Sequence, residues 1–418
     1  MTAQLFYRYS NNNEKSFFHE NKSLFEGVIA GAHIVALYEE SLFDFFRILE
    51  KPLLIDPYTY VFTRSLKNIK RNNEIKKSFS YLLEQYPNSI SPIIQKRQLI
   101  PKDFREQKSL VNDFTSDTIE FQKKFFSKSV QTAISDYMAI LNQEETSTLK
   151  PAGLIAPYFY FDSQDDPWYE INIQCVKKAN SIKADYQLYP VICFDKDLLL
   201  DNGAIETIVE DYKNFDGIFL WISDFDENDE PKQYLLPFGK LVRKFEEKKV
   251  PLYNFYGSYF SLLLTKFGLK GYCRGIAQSE KRDIDLCIKG GGGAPERYYI
   301  PNLHQYSSRP NLEAIMTDNP ELLCKCEICE KKWKKLQGNT SAQKITEFFR
   351  KFDYFSETRE HFLTVHWQEK QRITSLNKNE ITKMIEDNIK QLENLNLKDH
   401  GININYIKSW LEVIQELI

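Results

Sequence analysis

No apolar run among the 418 residues is long enough to cross a bilayer. The longest, such as 217–222, are strand-sized, far short of the ~20 residues a spanning helix needs. The N-terminus has no basic stretch leading into an apolar one, so the chain reads as cytoplasmic, without a secretion signal. An excess of either charge is also missing: 55 Lys and Arg face 58 Asp and Glu, a formal net of −3. Such a balance does not announce a nucleic-acid binder, yet leaves room for a local basic patch. No internal repeat is visible, and the only low-complexity tract is the four glycines 290–293. That tract lacks the Gly-Lys-Ser/Thr ending of a nucleotide-binding P-loop. Cysteine is sparse, at seven, and without a secretion signal its thiols belong to a reducing compartment, where clusters bind metal rather than form disulfides.

What is present is alternation. Short apolar runs at 28–37, 53–56, 153–161, 188–194, 217–222, 251–255, 271–275 and 297–303 are separated by helical periods. Strand–helix alternation implies parallel strands with crossover helices, and this number of runs predicts a closed (β/α)8 TIM-like barrel. An open doubly wound sheet is the alternative, because periodicity does not report closure. The stretch 72–142 has three-and-four spacing without a strand-like run and reads as a helical insertion. The chain therefore divides into a barrel over 1–317, a metal-binding subdomain over 318–372 and C-terminal helices over 373–418.

Four of these strands end in an acid: Asp56, Asp162, Asp195 and Asp224. Strand C-termini of a parallel barrel share one rim, so these carboxylates are expected to converge there. Capping of the following helix is the plainer explanation for each one. Asp56 and Asp224 are the first candidate catalytic pair, followed by Asp162 and by Glu280 in a small-residue loop. Gly291 and Gly292, followed by Arg297, could present backbone N–H groups and a guanidinium to a phosphate, or could form a simple hinge. Among the aromatics Tyr58, Tyr60, Trp221, Tyr256 and Tyr259, Tyr58 is the candidate to stack on a base; His304 is a reserve acid–base.

The densest signal is Cys324-x-Cys326-x-x-Cys329, with His361 and His366 a helix's length later. Three thiolates and one imidazole complete a closed tetrahedral zinc site. An iron–sulfur cluster would want a fourth cysteine, for which Cys287 is the nearest spare. Lys331, Lys332, Lys334 and Lys335 surround Trp333 beside this knuckle. Such a run is either a solvated helix face or, for Lys331, Lys332 and Lys335, a set of phosphate contacts.

The order of parts resembles the tRNA-guanine transglycosylase superfamily. The matching text is Leu323-Cys324-Lys325-Cys326-Glu327-Ile328-Cys329 and Phe362-Leu363-Thr364-Val365-His366. The resemblance implies a barrel carrying a zinc subdomain, with His366 as fourth ligand and His361 in reserve. It also implies cleavage of the N-glycosidic bond between a base and its sugar, and a possible homodimer through the zinc region. After the first active-site aspartate the family places Ser-Gly-Gly, whereas this chain reads Asp56-Pro57-Tyr58-Thr59-Tyr60. At the place of the family's nucleophilic aspartate it reads Tyr299-Ile300-Pro301-Asn302-Leu303-His304, without an acid. The expectation is therefore a divergent member acting on DNA, as a glycosylase that excises a modified base, with a role in defence against phage. Base exchange on tRNA and a non-catalytic nucleic-acid-binding subunit are the alternatives.

Overall fold

The computed structural model describes residues 3–10, 14–107, 109–128, 149–276, 282–285, 296–337 and 340–418. Glu280, Cys287, Gly291 and Gly292 lie outside the described residues.

The strands β1 (Gln4–Tyr9), β2 (Gly27–Gly31), β3 (Leu53–Asp56), β4 (Leu154–Ile155), β5 (Leu188–Tyr189), β6 (Val191–Asp195), β7 (Ile218–Ser223), β8 (Leu252–Asn254) and β9 (Leu269–Arg274) build the core. Seven of them form one parallel sheet in the order β3-β2-β1-β9-β8-β7-β6. Its two edges are joined by residues 150–161. On one side Leu53 donates to the Lys150 carbonyl and receives a bond from Ala152. On the other, β4 pairs with β5, and Phe161 donates to the Cys193 carbonyl of β6 and accepts from the Asp195 N–H. The result is a parallel barrel of the expected (β/α)8 type, in which 150–161 bridges the two edges of the curled sheet.

The register decides which side chains look inward, since paired residues of parallel strands share a face. Gln4, Phe6 and Arg8 of β1 face inward with Gly27, Ile29 and Gly31 of β2, and hence with Leu54 and Asp56 of β3. The floor is aromatic: Tyr253 meets Phe6, Tyr189 and Phe219, and its hydroxyl donates to Gln4. Above it Tyr60 stacks on Tyr158, Trp221 meets both edge to face, and Phe255 meets Tyr158 edge to face. Stacked layers of inward side chains make this a packed core rather than a pore.

Two strand expectations are corrected. The strand at the N-terminus was not expected; β1 carries Gln4 and Arg8 among its aromatics, so it has no clean apolar run to read. The stretch 297–303 is not a barrel strand. It is the first arm of an antiparallel hairpin, β10 (Arg297–Ile300) with β11 (Gln305–Ser308), turned at His304. A run of 28–37 also splits, into β2 and the helix Ala32–Leu37. Within 72–142 the described residues form helices Lys77–Leu83, Ser91–Lys96, Pro101–Glu106 and Leu110–Phe126, and a short unexpected strand, Glu74–Ile75, that pairs antiparallel with Lys70–Arg71. The helix Glu357–Ser375 lies against the outer wall of the barrel, with Phe362 on Tyr7 and His366 on Tyr272. Among the described residues no helix is long and apolar enough to cross a membrane.

Candidate functional site

The C-terminal ends of β1, β2 and β3 open into a cavity of about 360 Å3 lined by Arg8, His33, Asp56, Tyr58, Lys76 and Tyr256, with other residues. Asp56 is the last residue of β3, and its side chain points inward and is 3% exposed. One carboxylate oxygen receives the Tyr158 hydroxyl at 2.9 Å and the Tyr58 backbone N–H at 3.1 Å. Burial pushes Asp56 up to about 6, while those two hydrogen bonds and the charge of Arg8 pull it down. The guanidinium of Arg8 lies over the Tyr256 ring at 3.5 Å.

Tyr58 adopts a left-handed backbone, φ 57°, which a bulky residue enters at a cost. Its ring leans on His33, 4.4 Å away and tilted by 48°, and His33 lies flat on Phe79 at 4.9 Å and 4°. Gly31 makes room for this stack. A Cβ there would stand 2.8 Å from the His33 ring and 2.9 Å from Tyr58. Burial, then the charge of Lys76, pushes His33 down to about 4, so its imidazole is neutral near pH 7.

The other strand-end acids do not join Asp56 in this cavity. Asp224 follows β7 in a left-handed conformation, φ 54°, with its side chain 45% exposed and 3.6 Å from Lys196. Asp162 is exposed, and its backbone donates to Asp166. Asp195 accepts the Tyr160 hydroxyl and caps the turn after β6 through Asp197. Among the described residues, Asp56 is thus the candidate acid of the four that lines this cavity, and Asp224 is not beside it there. The aromatics Tyr60, Trp221, Tyr256 and Tyr259 are buried packing, and Tyr58 is the half-buried one.

The thiols of Cys324, Cys326 and Cys329 meet His361, all four ligand atoms lying within 4.8 Å of one another. Nδ1 of His361 is 3.3 Å from the Cys326 sulfur and 3.4 Å from that of Cys329. Its Nε2 is 2.8 Å from the Tyr299 carbonyl oxygen, which can only accept. That bond places the proton on Nε2 and leaves the Nδ1 lone pair facing the sulfurs, the tautomer a metal ligand needs. Tyr298 stacks on the imidazole at 4.3 Å and touches the Cys329 sulfur through its hydroxyl. The donor set fits a metal ion held by three thiolates and one imidazole.

The choice of His366 as fourth ligand is thereby corrected. Five residues advance a helix by roughly 140° beyond a full turn, so the two histidines look different ways. His366 faces the barrel instead, with Nε2 2.6 Å from the Tyr272 hydroxyl and Nδ1 3.1 Å from Glu369. Glu369 also meets His304 at 2.9 Å and accepts the Tyr299 hydroxyl. Burial would raise Glu369, but the bonds from His304 and His366 outweigh it and hold the carboxyl down to about 2. His304 thus belongs to the seam between hairpin and helix.

No protein-family model matches the chain, and no curated protein matches it. Among solved structures, it is similar to the N-terminal endo-1,4-β-D-xylanase 10B of Clostridium thermocellum complexed with xylohexaose, at TM-score 0.36 and 9% identity. That match covers 69% of this chain and 66% of the other. An intracellular xylanase of Thermoanaerobacterium saccharolyticum matches at TM-score 0.36 and 6% identity, over 71% of this chain and 91% of the other. The carboxyl transferase domain of Rhizobium etli pyruvate carboxylase matches at TM-score 0.33 and 8% identity, over 87% and 48%.

The lysines beside the knuckle divide. Lys332 is tied to Glu357 at 2.5 Å and Lys334 reaches Glu330 at 3.4 Å, while Lys331 and Lys335 are exposed. Arg297 opens β10 and lines a larger polar cleft of about 890 Å3 together with Arg274, Asp226 and Asn311. Sequence reasoning missed Arg8, His33 and Tyr158. The one legible hint was Gly31-Ala32-His33 at a strand exit, where a glycine permits close approach.

Proposed function

We propose that the chain is an enzyme that cleaves the N-glycosidic bond of a base in nucleic acid, with DNA as the favoured substrate and Asp56 as the working carboxylate. One observation carries this reading: an inward carboxylate, buried yet ionised near pH 7, stands in a mouth whose walls are aromatic and cationic. Such a group stabilises an oxocarbenium-like sugar or deprotonates water. In the hydrolytic scheme the C1′–N bond breaks as water oxygen bonds to C1′. Asp56 takes one water proton while the hydroxyl stays on C1′, and the base leaves with the C1′–N electron pair and takes that proton on by way of solvent, which returns Asp56 to its charged form. Tyr158 and the Tyr58 N–H hold the carboxylate still, and Arg8 beside it favours its charged form.

The metal is proposed to be zinc, in a structural role, because all four ligand positions are filled by protein and none is left for water. It braces the helix Glu357–Ser375 against the barrel. Lys331 and Lys335 are proposed as phosphate contacts that hold the polynucleotide without reading its sequence.

The test is incubation of the purified protein with unmodified DNA, DNA carrying modified bases, and tRNA, followed by detection of abasic sites. Asp56→Asn should abolish them while leaving substrate binding. Incorporation of a labelled free base without abasic sites would select exchange, and unchanged behaviour of Asp56→Asn would remove the enzyme.

A further inference from the structure

We propose that His33, held edge-on in the barrel mouth, is a specificity residue that hydrogen-bonds an uncharged heterocyclic base and makes the site reject cationic, alkylated bases. This inference rests on the reading of the mouth as the base-cleaving site.

The geometry leaves His33 little else to do. Phe79 lies flat on the ring and Tyr58 leans on it at 48°, so these two aromatics hold its orientation. That ring lines the cavity, yet its Nδ1 is out of solvent and makes no hydrogen bond among the described residues. Buried polar atoms are nearly always paired in native proteins, so an orphan at a cavity wall asks for a partner that arrives from outside. Gly31 keeps the ring in place, since any Cβ there would push it off the strand end. The cavity, at about 360 Å3, is within the range of roughly 300–1,000 Å3 that takes small ligands.

A neutral imidazole offers one donor and one acceptor, the complement of a heterocycle's polar edge. Charge sets the rest of the selection. Arg8, Lys76 and Arg282 line the cavity against Asp56 and Glu14, and Glu14 lies 3.6 Å from Arg359. A cationic base would enter a mouth with cations on its walls and meet a histidine that does not ionise near neutral pH. An uncharged base meets neither penalty.

Binding can be read without turnover, through quenching of tryptophan fluorescence, since Trp221 lies 4.8 Å from Tyr256 of the cavity wall. The probes are guanosine, adenosine, cytidine and thymidine against the cationic 1-methyladenosine and 3-methylcytidine. At least one neutral nucleoside should bind, with 1-methyladenosine and 3-methylcytidine weaker by about tenfold or more. His33→Phe keeps the stack and should lose about tenfold for the neutral probe, one buried hydrogen bond's worth. His33→Gln should recover part of that loss, and serves alone if His33→Phe does not fold. Equal binding by wild type and His33→Phe, tight binding of the cations, or no nucleoside binding at all would overturn the inference. Abasic-site formation separates this from the wider reading. Cleavage that needs Asp56 but ignores His33 would sink only the inference, and His33-dependent binding without cleavage would sink only the enzyme.

Discussion

At the scale of single residues, Asp56 makes the sharpest claim. Its carboxyl rises from 3.8 to about 6 on folding, because burial disfavours the charge. Between those values the folded chain keeps a proton that the unfolded chain has released. Stability therefore falls as pH rises through that window and stays lower above it. Asparagine has no proton to lose. Asp56→Asn should gain on the wild type by ~1–3 kcal/mol between pH 4 and pH 7.5, measured by chemical denaturation at both. Activity should show the opposite trend, with an acid limb near pH 6, since the ionised form does the work. A limb below pH 4.5 would assign the proton to a different group. Asp56 was legible from sequence as a strand-end acid; its inward aim was not, because that depends on pairing with β2.

At the scale of elements, one helix carries two histidines with two jobs. His361→Ala should strip the bound metal, read by elemental analysis of the dialysed protein. His366→Ala should keep the metal but cost ~2 kcal/mol, because Tyr272 and Glu369 each lose a buried hydrogen-bond partner. Metal lost in both variants, or in neither, would contradict the ligand set drawn here. The apolar stretch before His366 drew the eye in sequence, yet helical rotation selects His361. A second test concerns the β1–β9 seam. A Cβ at Gly271 would stand 2.1 Å from the Gln4 carbonyl oxygen. That contact is with backbone, which cannot swing away, so Gly271→Ala should destabilise by about 3 kcal/mol. An unchanged thermal midpoint would mean that this seam is looser than drawn.

For the whole molecule, the barrel mouth and the metal-braced tail must act on one polymer if the proposed function holds. Reversing Lys331 and Lys335 to Glu should weaken binding to any DNA sequence and flatten its dependence on salt, by a slope of about 2 if each contacts one phosphate. Binding of a free nucleoside in the mouth should not change. Filter binding across a salt series checks the first, and the fluorescence assay checks the second. An unaltered salt slope would leave those lysines as a solvated helix face. Lys332 is not expected to contribute, because Glu357 already holds it.

Periodicity and spacing were enough for the barrel class and the thiol cluster, because apolar alternation and short cysteine gaps are local properties of the chain. Partners separated by long stretches were beyond them. β1 finds its place only between β2 and β9, residues 150–161 become a barrel wall only when both edges are present, and 297–303 becomes a hairpin arm because 305–308 folds back on it. The same holds for the mouth. Asp56 and His33 share a cavity because register and a missing Cβ turn them together, whereas Asp224, as plain a strand-end acid in the sequence, is carried to Lys196 by a left-handed residue at the strand's exit.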